Sequence, residues 1–346
     1  MTLSVGFVGA GGIASIHMET LDAAVGGELS GFDDEIVDVE LAAVADVDES
    51  RAREVAGPRS ATAYVDGVEL IEEESVDAVV VAVPPFAHGE YERAAADAGV
   101  DLFVEKPPGL DTETVRETGQ HVDEAGILAQ VGYVCRYARI TERALELLDG
   151  RTVGHIDSTY WAPMPETSWW RERARSGGQI VEQSTHVYDL HRYLAGDVTE
   201  AAGSGTDELF ADSVDFQDST SVTMDHESGA VSHVSSACAS PEFRFEVRVA
   251  AENVVLELDY AEHTLTGTVD GESISFEGDG DWYRREFELF LRAAADDGAS
   301  GGDDAATKAG MAHGDIRSDF ADATETLALT LGAREAAESN RRVTFE

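Results

Sequence analysis

The sequence predicts a two-part α/β protein: a doubly wound parallel sheet first, then an α+β domain built on a mainly antiparallel sheet. Three observations carry this. Apolar, β-branched runs alternate with helical spacings through the first third of the chain. Past about Gly154, strand-like segments follow one another with few helices between them. The length of 346 residues exceeds one ordinary domain and suits two.

Residues 4–9 read as a strand, and Ile13, Ile16, Thr20, Leu21 and Ala24 then follow helical spacing. Residues 40–45 form the next strand and lead into a helix at 49–56. The uninterrupted run 77–83 is a buried strand, followed by a helix at 89–98, a strand at 101–104 and a further strand at 129–134. The acidic stretch 25–38 reads as a surface insertion. In the second part, strands are expected at 155–161, 219–224, 230–237, 243–249 and 254–258, with a hairpin turn at Glu227-Ser228-Gly229. The alternation in FRFEVRV gives one buried and one wet face. Residues 296–304 read as a loop by composition, 320–338 as a helix and 342–345 as a final strand. The boundary falls between 129 and 130, with the closing helix expected to pack back on the first domain.

The chain carries 69 acidic against 24 basic residues, a formal charge of −45, so a general nucleic-acid or anionic-membrane surface is excluded by sign. An apolar fraction of 43% excludes an acidic disordered chain. The acids are spread throughout, and only Lys106 and Lys308 are lysines. Such self-repulsion is tolerable when salt shortens the Debye length to about 3 Å, so the expectation is a halophile's protein that needs molar salt. No apolar run spans a bilayer and the start does not read as a signal peptide. Cys135 and Cys238 lack metal-ligand spacing, and no H-E-x-x-H or C-x-x-C occurs, so no metal is expected. A reduced cytoplasmic compartment fits.

Gly9-Ala10-Gly11-Gly12-Ile13-Ala14 follows a strand and opens a helix, the G-x-G-x-x-A form of a dinucleotide turn. The first glycine permits the turn and the second lets a pyrophosphate approach, while the helix N-terminus offers N–H groups to phosphate. Asp46, ending the second strand, suits the adenosine ribose hydroxyls and repels a 2′-phosphate, favouring NAD. It could equally be an exposed strand-end acid, and Arg51 and Arg53 keep NADP as the alternative. Glu105-Lys106-Pro107 places a lysine at the carboxyl end of a strand, where open α/β sheets bind ligands. A cation there can stabilise a developing alkoxide, or can simply pair with Glu105.

Residues 177–196 read as one helix in which Ile180, Val187, Leu190 and Leu194 make an apolar stripe. Glu182, His186, Asp189 and Tyr193 make a second stripe beside it. His186 reads as an acid/base group, with Glu182 one turn earlier as the carboxylate that tunes it.

Together GAGGIA, VADVD, VAVPPFAHGEYERAAADAG, VEKPPGL, VGYVCRY and SGGQIVEQSTHVYDLHRYLAGD resemble the glucose–fructose oxidoreductase/inositol dehydrogenase (Gfo/Idh/MocA) family of nicotinamide-dependent oxidoreductases. The resemblance implies an N-terminal Rossmann domain and a C-terminal domain whose open sheet forms a homodimer or homotetramer. It implies NAD held by Gly9, Gly11, Gly12, Ile13, Asp46, Pro84, His88, Glu105 and Lys106. His88 has an N-cap role as its alternative. Lys106 and His186 are implied as the reacting pair with Glu182, although the family commonly carries Asp at that position. Tyr133, Arg136, Trp170, Arg171 and Asp189 are expected to meet a carbohydrate-like substrate, with Trp169 and Trp170 alternatively in the core. Hydride transfer to or from a secondary alcohol is the implied reaction. Glycoside hydrolysis through transient oxidation and non-catalytic dinucleotide sensing are the other two activities the architecture allows.

Overall fold

The computed structural model describes residues 2–26, 38–300 and 316–345. The chain divides into two compact units, Met1–Gly132 with Tyr283–Thr324, and Tyr133–Trp282 with Glu325–Glu346. The boundary expected between 129 and 130 lies at Gly132/Tyr133, and a later segment, Tyr283–Thr324, belongs with the first unit.

The first unit alternates β1 (Leu3–Val8), α1 (Gly12–Val25), β2 (Val39–Ala45), α2 (Glu49–Ala56), β3 (Thr62–Tyr64), α3 (Gly67–Glu73), β4 (Ala78–Val81), α4 (Glu90–Ala98), β5 (Asp101–Val104), α5 (Thr112–Ala125) and β6 (Ala129–Val131). Every described pairing is parallel, in the order β3-β2-β1-β4-β5-β6. The order reverses between β1 and β4, which opens a crevice beyond the carboxyl ends of those strands. β4 and β5 are buried on both faces, as their unbroken apolar runs require. The core joins Val5, Phe7, Met18, Leu21, Val80 and Phe103 to Phe287 and Phe290. Short β3 was not anticipated, because its three residues carry no apolar run.

The second unit holds α6 (Arg139–Leu148), β7 (Val153–Trp161), α7 (Arg173–Ser176), α8 (Gln179–Glu182), α9 (Thr185–Ala195), β8 (Val198–Thr206), β9 (Ser219–His226), β10 (Val231–Ala237), β11 (Arg244–Ala251), β12 (Val254–Asp259), β13 (Thr264–Val269) and β14 (Glu272–Glu277). With β15 (Val343–Thr344) these strands form a nine-stranded sheet, β14-β13-β12-β11-β7-β10-β9-β8-β15, antiparallel except between β7 and β10. The hairpin closes at Gly229, whose N–H bonds to the His226 carbonyl at 2.9 Å. α9 lies on β7 and β10, and the strands alternate buried and exposed residues accordingly. The other face is polar: register lines up Ser204, Ser221, Ser235 and Thr159 across four strands.

Three expectations need correction. α10 (Trp282–Ser300) runs through the first residues of the stretch read as a loop; 301–304 lie outside the described residues. The strand expected at 129–134 ends at Val131, and a 3-10 turn follows at Val134–Tyr137. The helix at 177–196 is interrupted, as described below. The acidic insertion at 25–38 lies almost wholly outside the described residues. The last long helix, α11 (Phe320–Ser339), has its first residues in one unit and the rest in the other.

Candidate active site

In the first unit the turn after β1 is built by close approach. Gly9 has φ +99°, and a Cβ there would stand 2.3 Å from the Ala82 carbonyl oxygen at the end of β4. Only glycine therefore suits the crossing of these two strand ends. Gly11 is the N-cap of α1 and supplies no side-chain cap. The first-turn N–H groups thus have no intrahelical acceptor and carry the positive end of the helix dipole. A Cβ at Gly11 or Gly12 would meet nothing within 4 Å, so the backbone faces open space. Ala14, beneath it, is fully buried.

Asp46 braces this turn. One carboxylate oxygen accepts from the Ala10 N–H at 2.9 Å, the other from the Asp48 N–H at 2.9 Å. Arg51 stands 3.4 Å from it. A carboxylate has about four acceptor directions, so ribose hydroxyls still find room. A Gly-lined cradle, an uncapped helix N-terminus and an acceptor at the end of β2 together fit a dinucleotide.

After β4 come half-buried Pro84, a 3-10 turn and His88. The His88 imidazole is buried, with Nδ1 2.6 Å from Glu92 Oε1. Gly89, not His88, is the N-cap of α4, and Glu92 reaches back to accept its N–H at 2.6 Å. β5 then delivers Glu105, 4% exposed, and half-buried Lys106 to its carboxyl end.

One buried partner was not anticipated. His17 of α1 lies 2.7 Å from Glu105 Oε1. Its signal was a lone histidine within the apolar stripe of Ile13, Thr20, Leu21 and Ala24.

In the second unit the helix expected over 177–196 is two helices. Ser184 donates its hydroxyl to the Gln179 carbonyl at 3.3 Å, and its N–H bonds to the same carbonyl at 3.0 Å. A serine that back-bonds in this way competes with the helical ladder. α8 stops at Glu182 and α9 starts at Thr185. Glu182 and His186 therefore do not stack one turn apart on a continuous helix. The Trp170 indole N–H donates to Glu182 at 2.5 Å, while His186 sits in the first turn of α9, 8% exposed.

The residues expected to meet substrate have mostly been brought inward. Asp189 is fully buried and accepts twice from Arg136, at 2.9 and 2.6 Å, and once from Thr326 at 3.1 Å. Arg136 also lies 4.7 Å from the Tyr193 ring centroid. A buried guanidinium and carboxylate neutralise each other, and the fork geometry fixes both. Tyr133 is fully buried beside Arg136. Trp170 is 1% exposed and packs edge-on against Phe216 in a small core with Val214 and Cys238, the core position left open for it from sequence. Arg171 alone of this set is exposed.

A dinucleotide turn at the switch point of a doubly wound sheet, followed by an open-sheet domain, is the architecture of a nucleotide-binding protein of two units. Residues 3–133 match the oxidoreductase family with an NAD-binding Rossmann fold, and residues 146–256 match the GFO/IDH/MocA C-terminal domain. An inositol 2-dehydrogenase of Rhizobium meliloti is 30% identical over 73% of this chain and 76% of its own. A D-xylose 1-dehydrogenase (NADP(+)) of Haloferax volcanii is 28% identical over 73% and 81%. The structure of levoglucosan dehydrogenase with NADH superposes with a TM-score of 0.85 over the whole of both chains, at 18% identity. The chain belongs to the Gfo/Idh/MocA family, and its cofactor is NAD.

Proposed function

We propose that this protein transfers hydride between NAD and a secondary alcohol of a sugar or polyol. The observation that carries the reading is the dinucleotide turn at Gly9 in the same parallel sheet that ends β5 on Glu105-Lys106. The relatives named for xylose and inositol support this substrate class.

NAD, when bound, supplies the hydride acceptor or donor. In the oxidative direction His186 takes the hydroxyl proton and Lys106 hydrogen-bonds the oxygen as negative charge develops on it. With NAD bound as hydride acceptor, the alcohol carbon would be left as a carbonyl. Gly11, Gly12 and Ile13 offer N–H groups to the pyrophosphate, and Asp46 accepts from the ribose. Pro84 and His88 would stand on the nicotinamide side. Glu182 is assigned to holding the elbow between α8 and α9 through Trp170, which orients His186 at the head of α9. Arg171 is the remaining surface candidate for substrate contact.

The polar sheet face with exposed Trp161 is assigned to self-association as a homodimer or homotetramer. No described helix is long and apolar enough to cross a membrane. The acid excess supports a cytoplasmic setting of high salt. The test is NADH absorbance in molar KCl across sugars and polyols, with NAD and with NADP. Turnover of one compound class with NAD is the expected result. Silence across the panel with NAD bound overturns the dehydrogenase reading.

A further inference from the structure

α1 carries a polar side chain where its spacing calls for an apolar one. His17 is fully buried, on the stripe with Ala14, Leu21 and Ala24. Its ring lies 4.8 Å from Phe103 and 5.0 Å from Phe287, centroid to centroid. A buried imidazole in an aromatic box needs a hydrogen-bond partner. It finds Glu105, at 2.7 Å from Nε2. The other Glu105 oxygen accepts the backbone N–H of Lys106 at 3.2 Å. Gly132 keeps the space behind the carboxylate clear: a Cβ there would lie 3.4 Å from all three carboxyl atoms.

Two apolar residues would fill this site at no desolvation cost, and such exchanges are often neutral or stabilising. The histidine–carboxylate pair must therefore do something that packing does not. It makes Glu105 a rigid link between α1 and the peptide that presents Lys106. We propose that His17 is a positioning residue for Lys106, acting through Glu105, so that the helix bearing the dinucleotide turn also sets the lysine's direction. This rests on the reading of Lys106 as the group that meets the reacting oxygen.

Without His17, one Glu105 oxygen is left buried and unmatched. The carboxyl group then turns, and its hold on the Lys106 N–H is lost. H17L removes the donor, whereas H17Q retains one.

The chain has only two lysines, Lys106 and Lys308, so Lys106 can be read chemically against an internal reference. Cofactor-free wild type, H17L and H17Q are trace-labelled with acetic anhydride in molar KCl, and the Lys106/Lys308 ratio is taken from peptide masses. H17L, folded by circular dichroism, should change the ratio at least about threefold, with H17Q returning most of the way. On a compound that wild type turns over, H17L should lose about 10-fold or more in kcat while KM for NAD stays within about threefold. An unchanged ratio in folded H17L overturns the proposal, and so does equal loss in H17Q. Should H17L not fold, E105Q, which keeps the shape, is read by the same ratio and the same criterion. Labelling needs neither substrate nor cofactor, so an inactive wild type would sink the dehydrogenase reading while this test still stood.

Discussion

The two sheets solve opposite problems. The parallel sheet buries both faces, so its chemistry can appear only at strand ends, where Gly9, Asp46 and Glu105-Lys106 emerge. The nine-stranded sheet leaves one face polar, and the second unit's candidate groups lie off it, on the α8–α9 elbow and the turn at Val134–Tyr137. In the first unit local motif and site coincide. In the second, side chains far apart in sequence decide which groups are free to act and which are spent on each other, as Arg136 and Asp189 are.

The sharpest way to break this comparison is to remove the strand-end lysine. Lys106→Ala should lower kcat by about 100- to 1,000-fold and leave NAD affinity within about threefold, since the pyrophosphate is held by backbone. Steady-state kinetics with calorimetric NAD titration checks this, and full turnover would overturn the assignment.

Comparable in size is the effect at the buried pair. Arg136→Ala or Asp189→Ala should each destabilise by about 3–5 kcal/mol, whereas replacing both with apolar residues of like volume should cost far less. Denaturant midpoints at molar salt measure it. An unmoved midpoint with a raised KM for Asp189→Asn would restore Asp189 to the substrate pocket.

At the other end of the parallel sheet, Asp46→Ala should cost about 10-fold in kcat/KM with NAD, the size of one charged hydrogen bond. Preference should move toward NADP, because Arg51, 3.4 Å away, is released from the carboxylate. Adding Arg51→Ala should take that gain away.

The smallest effect lies beneath the nine-stranded sheet. His191 is fully buried against the Ser158 hydroxyl at 2.7 Å, and burial holds its pKa well below the ordinary 6.5, with His226 nearby adding to the shift. Burial also lowers the pKa of His226 itself. Below about pH 6.5 the unfolded chain binds protons that the folded one refuses. Stability is therefore present in full above that pH and is lost as pH falls toward the folded values. Melting temperature from pH 7.5 to 5 should be flat, then decline, and His191→Gln should shallow the decline.

Much of the first unit was legible because its signals are local. A β-branched run such as 77–83 has no face to leave polar, and the glycines of the dinucleotide turn sit between a strand and a helix. β13 and β14 escaped notice for the converse reason: TLTGTV and ESISFE bury little beyond Leu265, so they carry no strong apolar pattern. The broken helix escaped because Ser184 has no mark in sequence that says where its hydroxyl will bond. Trp170 shows the same limit, since an aromatic residue reads alike as a pocket wall or a core member until its neighbours are known.

By itself the sequence determined the alternation of strands and helices, the dinucleotide turn, the lysine at a strand end and the sign of the surface field. All of these follow from periodicity and composition, which act over a few residues or over the whole chain. Tertiary structure alone decided that Asp189 is spent on Arg136, that Glu182 answers Trp170, and that His17 reaches Glu105 across 88 residues of chain. A buried polar group must find a partner wherever the fold brings one, and no local pattern records which partner that is.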